Sequence, residues 1–247
     1  MGTNVFQRSW LHATKRRAAE ATGMKSEMKI DRKKFITFFD QKSKGGSHDG
    51  SDVSAIIGLL GEDLLLGVLQ HFWKSNEGVE SEILNYKCNR GTKEGSRLDA
   101  WLLKNKRTNG ELYQVELKNW AAYALGGRKD LKLDATKPEL QAYSKKNWDE
   151  HFAPEKIPSR GVRKVLEPMK RPQGYENLTP IPLVCFWFYI GKSMTSPYSK
   201  RRYLTGKQVH VFSASAYLRT LKSDYIDIAM PRAGRRMRLL GELILAE

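Results

Sequence analysis

The sequence predicts an α/β fold: a mixed β-sheet flanked by helices, with basic extensions at both ends. Three stretches carry that expectation. "SDVSAIIGLLGEDLLLGVLQHFW", residues 51–73, opens on the cap-type residues Ser51 and Asp52 and then stays apolar nearly all round, as a helix buried on most faces does. Three strand candidates follow, "SEILNYKC", "RLDAWLLK" and "GELYQVELKNW", separated by the turn-rich "NRGTKEGS" and "NKRTNG". "IPLVCFWFYI", residues 181–190, lacks polar alternation, the mark of a strand covered on both faces.

The other elements fall around these. Residues 1–50 read as a loosely organised N-terminal arm, with a short basic helix in "LHATKRRAAEATGMKSEM" and a Gly/Ser/Asp-rich breaker in "KSKGGSHDGSD". A core is expected over 51–191. Within it, the loop "ALGGRKDLKLDATKPE" leads to a helix, "PELQAYSKKNWDEHF", with Pro138 at a favourable first-turn position, and 153–180 is a Pro-punctuated loop region. A basic C-terminal extension, 192–247, holds the polar loop "GKSMTSPYSKRRYLTGK", a short "VHVF", a Ser213-capped helix "SASAYLRTL" and an amphipathic end, "RRMRLLGELILAE". It is expected to pack on the core.

Charge distribution narrows the function class. The chain has a formal net charge of +16, yet residues 1–46 and 192–247 each carry 11 basic and 4 acidic side chains, leaving the middle nearly neutral. Basic flanks around a neutral centre suit a polyanion gripped at the edges, because phosphate neutralisation with counterion release dominates sequence-independent nucleic-acid binding. Cys88 and Cys185 form no CxxC or Cys/His spacing, which argues against a disulfide framework or a zinc site and for a reducing, cytoplasmic setting. The N-terminus has no apolar signal core, and "IPLVCFWFYI" is about half a bilayer span, so no membrane association is expected. No Walker spacing is present, which argues against an intrinsic ATPase.

Strand periodicity concentrates attention on "GELYQVELKNW". Residues two apart share a face, so Tyr113, Val115 and Leu117 point toward a core while Gln114, Glu116 and Lys118 point the other way. The same rule sets Leu98, Ala100 and Leu102 against Asp99, Trp101 and Leu103. Were the two strands antiparallel neighbours, Asp99 and Glu116 would meet near one end of the pair. Two carboxylates beside an ammonium make a hard-oxygen site for Mg²⁺ or Mn²⁺. Glu62, embedded among Leu59, Leu65 and Leu66 on the preceding helix, is a candidate third ligand. The competing reading is a solvated cross-strand charge cluster on a half-exposed sheet.

This order of acids resembles the PD-(D/E)xK nuclease superfamily, the restriction-endonuclease-like fold: an acid on a first helix, an Asp at a strand, then (D/E)-x-K on the next. Glu62, Asp99, and Glu116 with Lys118 match it, over roughly residues 51–190. Leu98 stands where the superfamily's eponymous Pro would be. The resemblance implies a Mg²⁺-dependent deoxyribonuclease, an endonuclease in preference to an exonuclease. Asp99, Glu116, the Leu117 carbonyl and Glu62 would hold the metal, and Lys118 would act on the attacking water. Some members also place a Gln and a Tyr on the following helix; Gln141 and Tyr143 offer these types at spacing two, where four is usual. The bare tripeptide is weak, since it recurs at Glu27, Asp31, Asp40 and Asp130. Only at Glu116 does it lie in an apolar alternating strand.

Further candidates for substrate contact are Arg97 at the turn before Asp99, Asn119 just beyond Lys118, and Arg201 and Arg202 in "SKRRY"; "RAGRRMR", 232–238, is a second basic footprint. The expected partner is nucleic acid, DNA in preference to RNA, with the chain acting alone, as a homo-oligomer, or as a subunit of a larger defence or transposition complex. A non-catalytic nucleic-acid-binding module with the same fold is the alternative.

Overall fold

The computed structural model describes residues 27–40, 50–85, 98–104, 110–118, 138, 164–167, 169–187, 197–202, 206–230 and 233. In chain order they form β1 (Glu27–Asp31), α1 (Arg32–Asp40), α2 (Gly50–Glu77), β2 (Ser81–Asn85), β3 (Ala100–Lys104), β4 (Glu111–Lys118), a 3-10 turn (Lys164–Leu166), β5 (Ile181–Phe186), β6 (Tyr198–Arg202), β7 (Gln208–Ser213), α3 (Ala214–Thr220) and β8 (Tyr225–Ala229). Six strands make one mixed sheet in the order β2-β3-β4-β5-β7-β6. β2, β3 and β4 form an antiparallel meander, β5 and β7 run parallel to β4, and β6 pairs antiparallel with β7 at the far edge. Short links permit the meander, whereas a parallel return needs a long crossover, and the chain between residues 118 and 181 supplies it. β5 is covered on both faces, Leu183 and Cys185 on one and Val184 and Phe186 on the other, which is why its sequence does not alternate. No helix among the described residues is long and apolar enough to cross a membrane.

α2 covers one face of this sheet. Leu65, Leu69 and Trp73 pack with Ala100, Leu102, Tyr113, Val115, Leu117, Leu183, Cys185 and Phe212 in one buried cluster. Gly78, at φ +65°, ends the helix, and Val79 N–H bonds back to the Trp73 carbonyl at 3.2 Å. The opposite face is dry as well: Leu98, Trp101, Leu112, Val184, Phe186, Val209 and Val211 are buried with Val165 and Met169. Gln114 fixes this second cover, its Nε2 donating to the carbonyls of Val165 and Glu167 at 3.0 and 2.8 Å. Part of the expected loop region 153–180 is thus a lid over the sheet.

Three expectations change here. Residues 27–40 of the expected loose arm are folded: Phe35 and Ile36 of α1 are buried, and β1 pairs antiparallel with β8 from the other basic flank. The expected core boundary at residue 191 falls inside the sheet, because β6 and β7 belong to it; β7 places Val209 and Val211 on one face and Phe212 on the other. Tyr198–Arg202 is a strand where a polar loop was expected. Its basic residues hide the period-2 pattern, and charge on an edge strand is what discourages further pairing. The Ser213 cap is as expected, its hydroxyl accepting from Ala216 N–H at 3.2 Å.

The β1–β8 ribbon lies on one stripe of α2. A Cβ on Gly67 would sit 2.5 Å from the Ala229 carbonyl oxygen, so only glycine admits the ribbon at this distance. One turn earlier on that stripe, Asp63 is fully buried and accepts from Ala233 N–H at 2.6 Å. The sequence pointed to Glu62 as the embedded acid, but Glu62 is only partly buried. Asp63 shares its helical face with Leu66 and Gly67, and that face points inward.

A polar network closes the end of the β3–β4 pair remote from Asp99. Lys104 lies opposite Glu111, bonds Glu77 Oε2 at 2.5 Å and Glu111 Oε2 at 3.6 Å, and stands over the Trp73 ring. On the same sheet face, His210 Nδ1 and the Tyr198 hydroxyl share a 2.7 Å hydrogen bond. Burial first, then the Lys200 charge, pushes His210 down to about 4. The unfolded chain binds this proton near pH 6.5 and the folded one does not until about 4, so His210 weakens the fold as pH falls through that window. Urea midpoints measured from pH 7 to 4 are expected to fall less steeply in His210→Gln than in the wild type; an unchanged slope would contradict this assignment.

Candidate functional site

The β3–β4 ladder runs from Lys104 opposite Glu111 to Ala100 opposite Val115, and the same register continued one step sets Asp99 opposite Glu116. Asp99 itself lies at a bend, just before the strand starts. The bend corrects the expected alternation: Leu98 joins Trp101 in the second cluster and does not follow Ala100 and Leu102 into the first. Freed from the ladder, the Asp99 carboxylate turns along β4, and its Oδ2 accepts the Leu117 N–H at 2.7 Å. Its field also reaches β5: burial, and secondarily the Asp99 charge, raises the Cys185 thiol well above its usual range.

Main-chain direction matters here. The Lys118 carbonyl accepts from Trp187 N–H on the β5 side at 3.4 Å. Neighbouring residues of a strand turn their main-chain groups to opposite edges, and one residue's N–H and C=O leave by the same edge. Leu117 therefore directs both groups toward Asp99, beyond the last pair of the β3–β4 ladder. Its carbonyl leaves by the same strand edge on which Asp99 accepts the Leu117 N–H.

Glu116 and Lys118 share the face opposite α2, as strand alternation requires, and Lys118 Nζ donates to Glu116 Oε1 at 2.5 Å. Glu116 is 2% exposed and the Lys118 side chain 14%. A solvated charge cluster on a wet sheet face predicts the reverse; here the charges are held under the second cover, at the level of Val184 and Phe186 on β5. Among the other (D/E)-x-K matches, Lys29 on β1 is exposed, and Asp31 caps α1 by accepting from Lys34 N–H at 3.0 Å. Context separates Glu116 from them.

Trp73 of α2 and Tyr113 of β4 are in ring contact at 5.1 Å, and Glu62 lies about three turns before Trp73 on α2. The helix covers the face opposite Glu116, and among the described residues no group of three or more His, Cys, Asp and Glu side chains could hold a metal. Asp99, Glu116, Leu117 and Lys118 are brought together; Glu62 stays on the helix that covers the opposite face. Two carboxylates and a carbonyl still suit Mg²⁺, which keeps several of its waters and needs one or two protein carboxylates.

Arg201 and Arg202 lie on the edge strand β6, opposite Val209 and Gln208; their side chains fall outside the described residues, as do Arg97, Asn119, Gln141 and Tyr143. Sequence reasoning missed Gln114, whose amide fixes the cover over the Glu116 face, and Asp63, which anchors Ala233. A buried-face glutamine two residues before Glu116 was the available signal for the first, and the Leu66–Gly67 stripe for the second. The chain matches no family model, no curated protein and no solved structure.

Proposed function

We propose that the chain is a metal-dependent nuclease that hydrolyses phosphodiester bonds in DNA through a PD-(D/E)xK-type site. The observation that carries this reading is the joining of Asp99 to the main chain of the E-x-K tripeptide at the end of adjacent strands, with Glu116 and Lys118 paired out of water. The helix and the two consecutive strands that carry Asp99 and Glu116 follow the element order that the resemblance implies, and the mixed sheet supports a restriction-endonuclease-like core. Asp99, Glu116 and the Leu117 carbonyl would hold Mg²⁺ or Mn²⁺. When bound, the ion supplies Lewis acidity and a position for the attacking water. Lys118 orients that water and stabilises negative charge developing on the phosphate oxygens. The low dielectric around Glu116 strengthens both effects.

Basic residues at the flanks fit the phosphate backbone. Arg201 and Arg202 on the sheet edge and the 232–238 run, whose Ala233 is anchored by Asp63, are the proposed grips. Purified protein is expected to cut circular and linear, single- or double-stranded DNA with Mg²⁺ or Mn²⁺ and to stop in EDTA, with RNA cut more slowly. Cleavage that persists in EDTA, or no cleavage of any substrate in either metal, would overturn the assignment.

A further inference from the structure

We propose that Lys118 and a divalent cation compete for one carboxylate oxygen of Glu116, so that loading the metal and releasing the lysine are a single event. The inference rests on the metal-dependent reading above. Lys118 Nζ lies 2.5 Å from Glu116 Oε1, a charge-assisted contact between residues two apart on one strand face. Glu116 has little freedom to turn elsewhere. It is 2% exposed, Val184 and Phe186 stand level with Glu116 and Lys118 on β5, and Val165 and Met169 cap the same cluster.

Asp99 plays a different part. Its Oδ2 is tied to the Leu117 main chain, which no cation displaces without undoing the strand end. An ion approaching from the Asp99 end therefore meets one rigid carboxylate and one that is already neutralised by an ammonium. It takes Oε1 only as Lys118 leaves. No bond is made or broken beyond this exchange, and the released ammonium stays protonated, available to a phosphate oxygen of the substrate.

A lysine acting on the attacking water alone makes no demand on metal affinity, so the two roles separate in a binding experiment. Mn²⁺ is titrated into the full chain, without nucleic acid, and the free-ion electron paramagnetic resonance signal is read. Lys118→Met is expected to bind Mn²⁺ about tenfold more tightly than wild type, the scale of one lost charge-assisted contact, although its cleavage is lost. Lys118→Arg, which keeps the charge, is expected to stay within about threefold of wild type. Adding Asp99→Asn to Lys118→Met should remove the gain, which assigns the ion to this site. Far-UV circular dichroism checks folding, and Lys118→Gln replaces the Met variant should that one not fold.

Equal or weaker Mn²⁺ binding in Lys118→Met than in wild type overturns the competition and leaves the nuclease reading standing. A gain that survives Asp99→Asn places the ion elsewhere and also overturns it. No Mn²⁺ binding by any of these proteins, together with no cleavage by wild type, removes the metal-dependent reading itself.

Discussion

Asp99→Ala is expected to lower metal-dependent cleavage by at least about 10²–10³-fold, the range lost when one preorganised group that stabilises transition-state charge is removed. Two jobs end together. The site loses one of its two carboxylates, and Leu117 N–H loses its acceptor. The second loss is structural and costs about 1–3 kcal/mol, as for an amide whose charged partner is removed. Asp99→Asn separates the two, because its carboxamide oxygen can still accept from Leu117 while the negative charge is gone. Urea unfolding is therefore expected to show Asp99→Asn closer to wild type than Asp99→Ala, with both inactive. Asp99→Asn or Asp99→Ala retaining more than about a tenth of wild-type cleavage would show that Asp99 supports the strand end only.

Gly67→Ala is expected to destabilise the fold, against the usual direction for a helix interior, where the same change gains about 0.5–1 kcal/mol. The added methyl would lie 2.5 Å from the Ala229 carbonyl oxygen and 3.1 Å from Ile228 Cβ. The first is main chain, held in the β1–β8 ladder, and cannot swing aside as a side-chain tip would. Accommodation means moving the ribbon off α2, and such overpacking costs about 1–3 kcal/mol or more. Gly67→Val should cost more again, since it adds a second branch to the same collision. Denaturant midpoints decide it: a Gly67→Ala protein as stable as wild type would mean that the helix and the ribbon have room between them.

Much of the central sheet was legible in the sequence because its strands announce themselves chemically. β4 alternates Leu, Tyr, Gln, Val, Glu and Leu against two covered faces, β5 has no polar residue to alternate, and α2 is too apolar to face water. The pairing of Asp99 with the E-x-K strand could be expected from the turn between β3 and β4, but its manner could not. Alternation assumes an extended chain, and the bend at Asp99 redirects Leu98 to one cluster and the carboxylate to Leu117. β6 was hidden by its function at an edge, where basic side chains replace the apolar ones that mark a strand. β1 and β8 were hidden for a different reason. Each is a five-residue strand whose partner lies at the other end of the chain, and no local pattern reports a contact of that separation.

That separation has a temporal side. Arg32 reaches across 191 residues of chain to the Ser223 carbonyl, and Met28 sits opposite Ile228. The central strands β3, β4 and β5 are all synthesised before β8 exists. During translation the stripe of α2 that carries Gly67 lacks its β8 cover until the chain has been made through residue 229, and closing so distant a contact is slow. A growing polypeptide thus has the candidate catalytic strands early and its clasp last. Messages truncated before β8 are expected to yield products that proteases remove faster than the full chain.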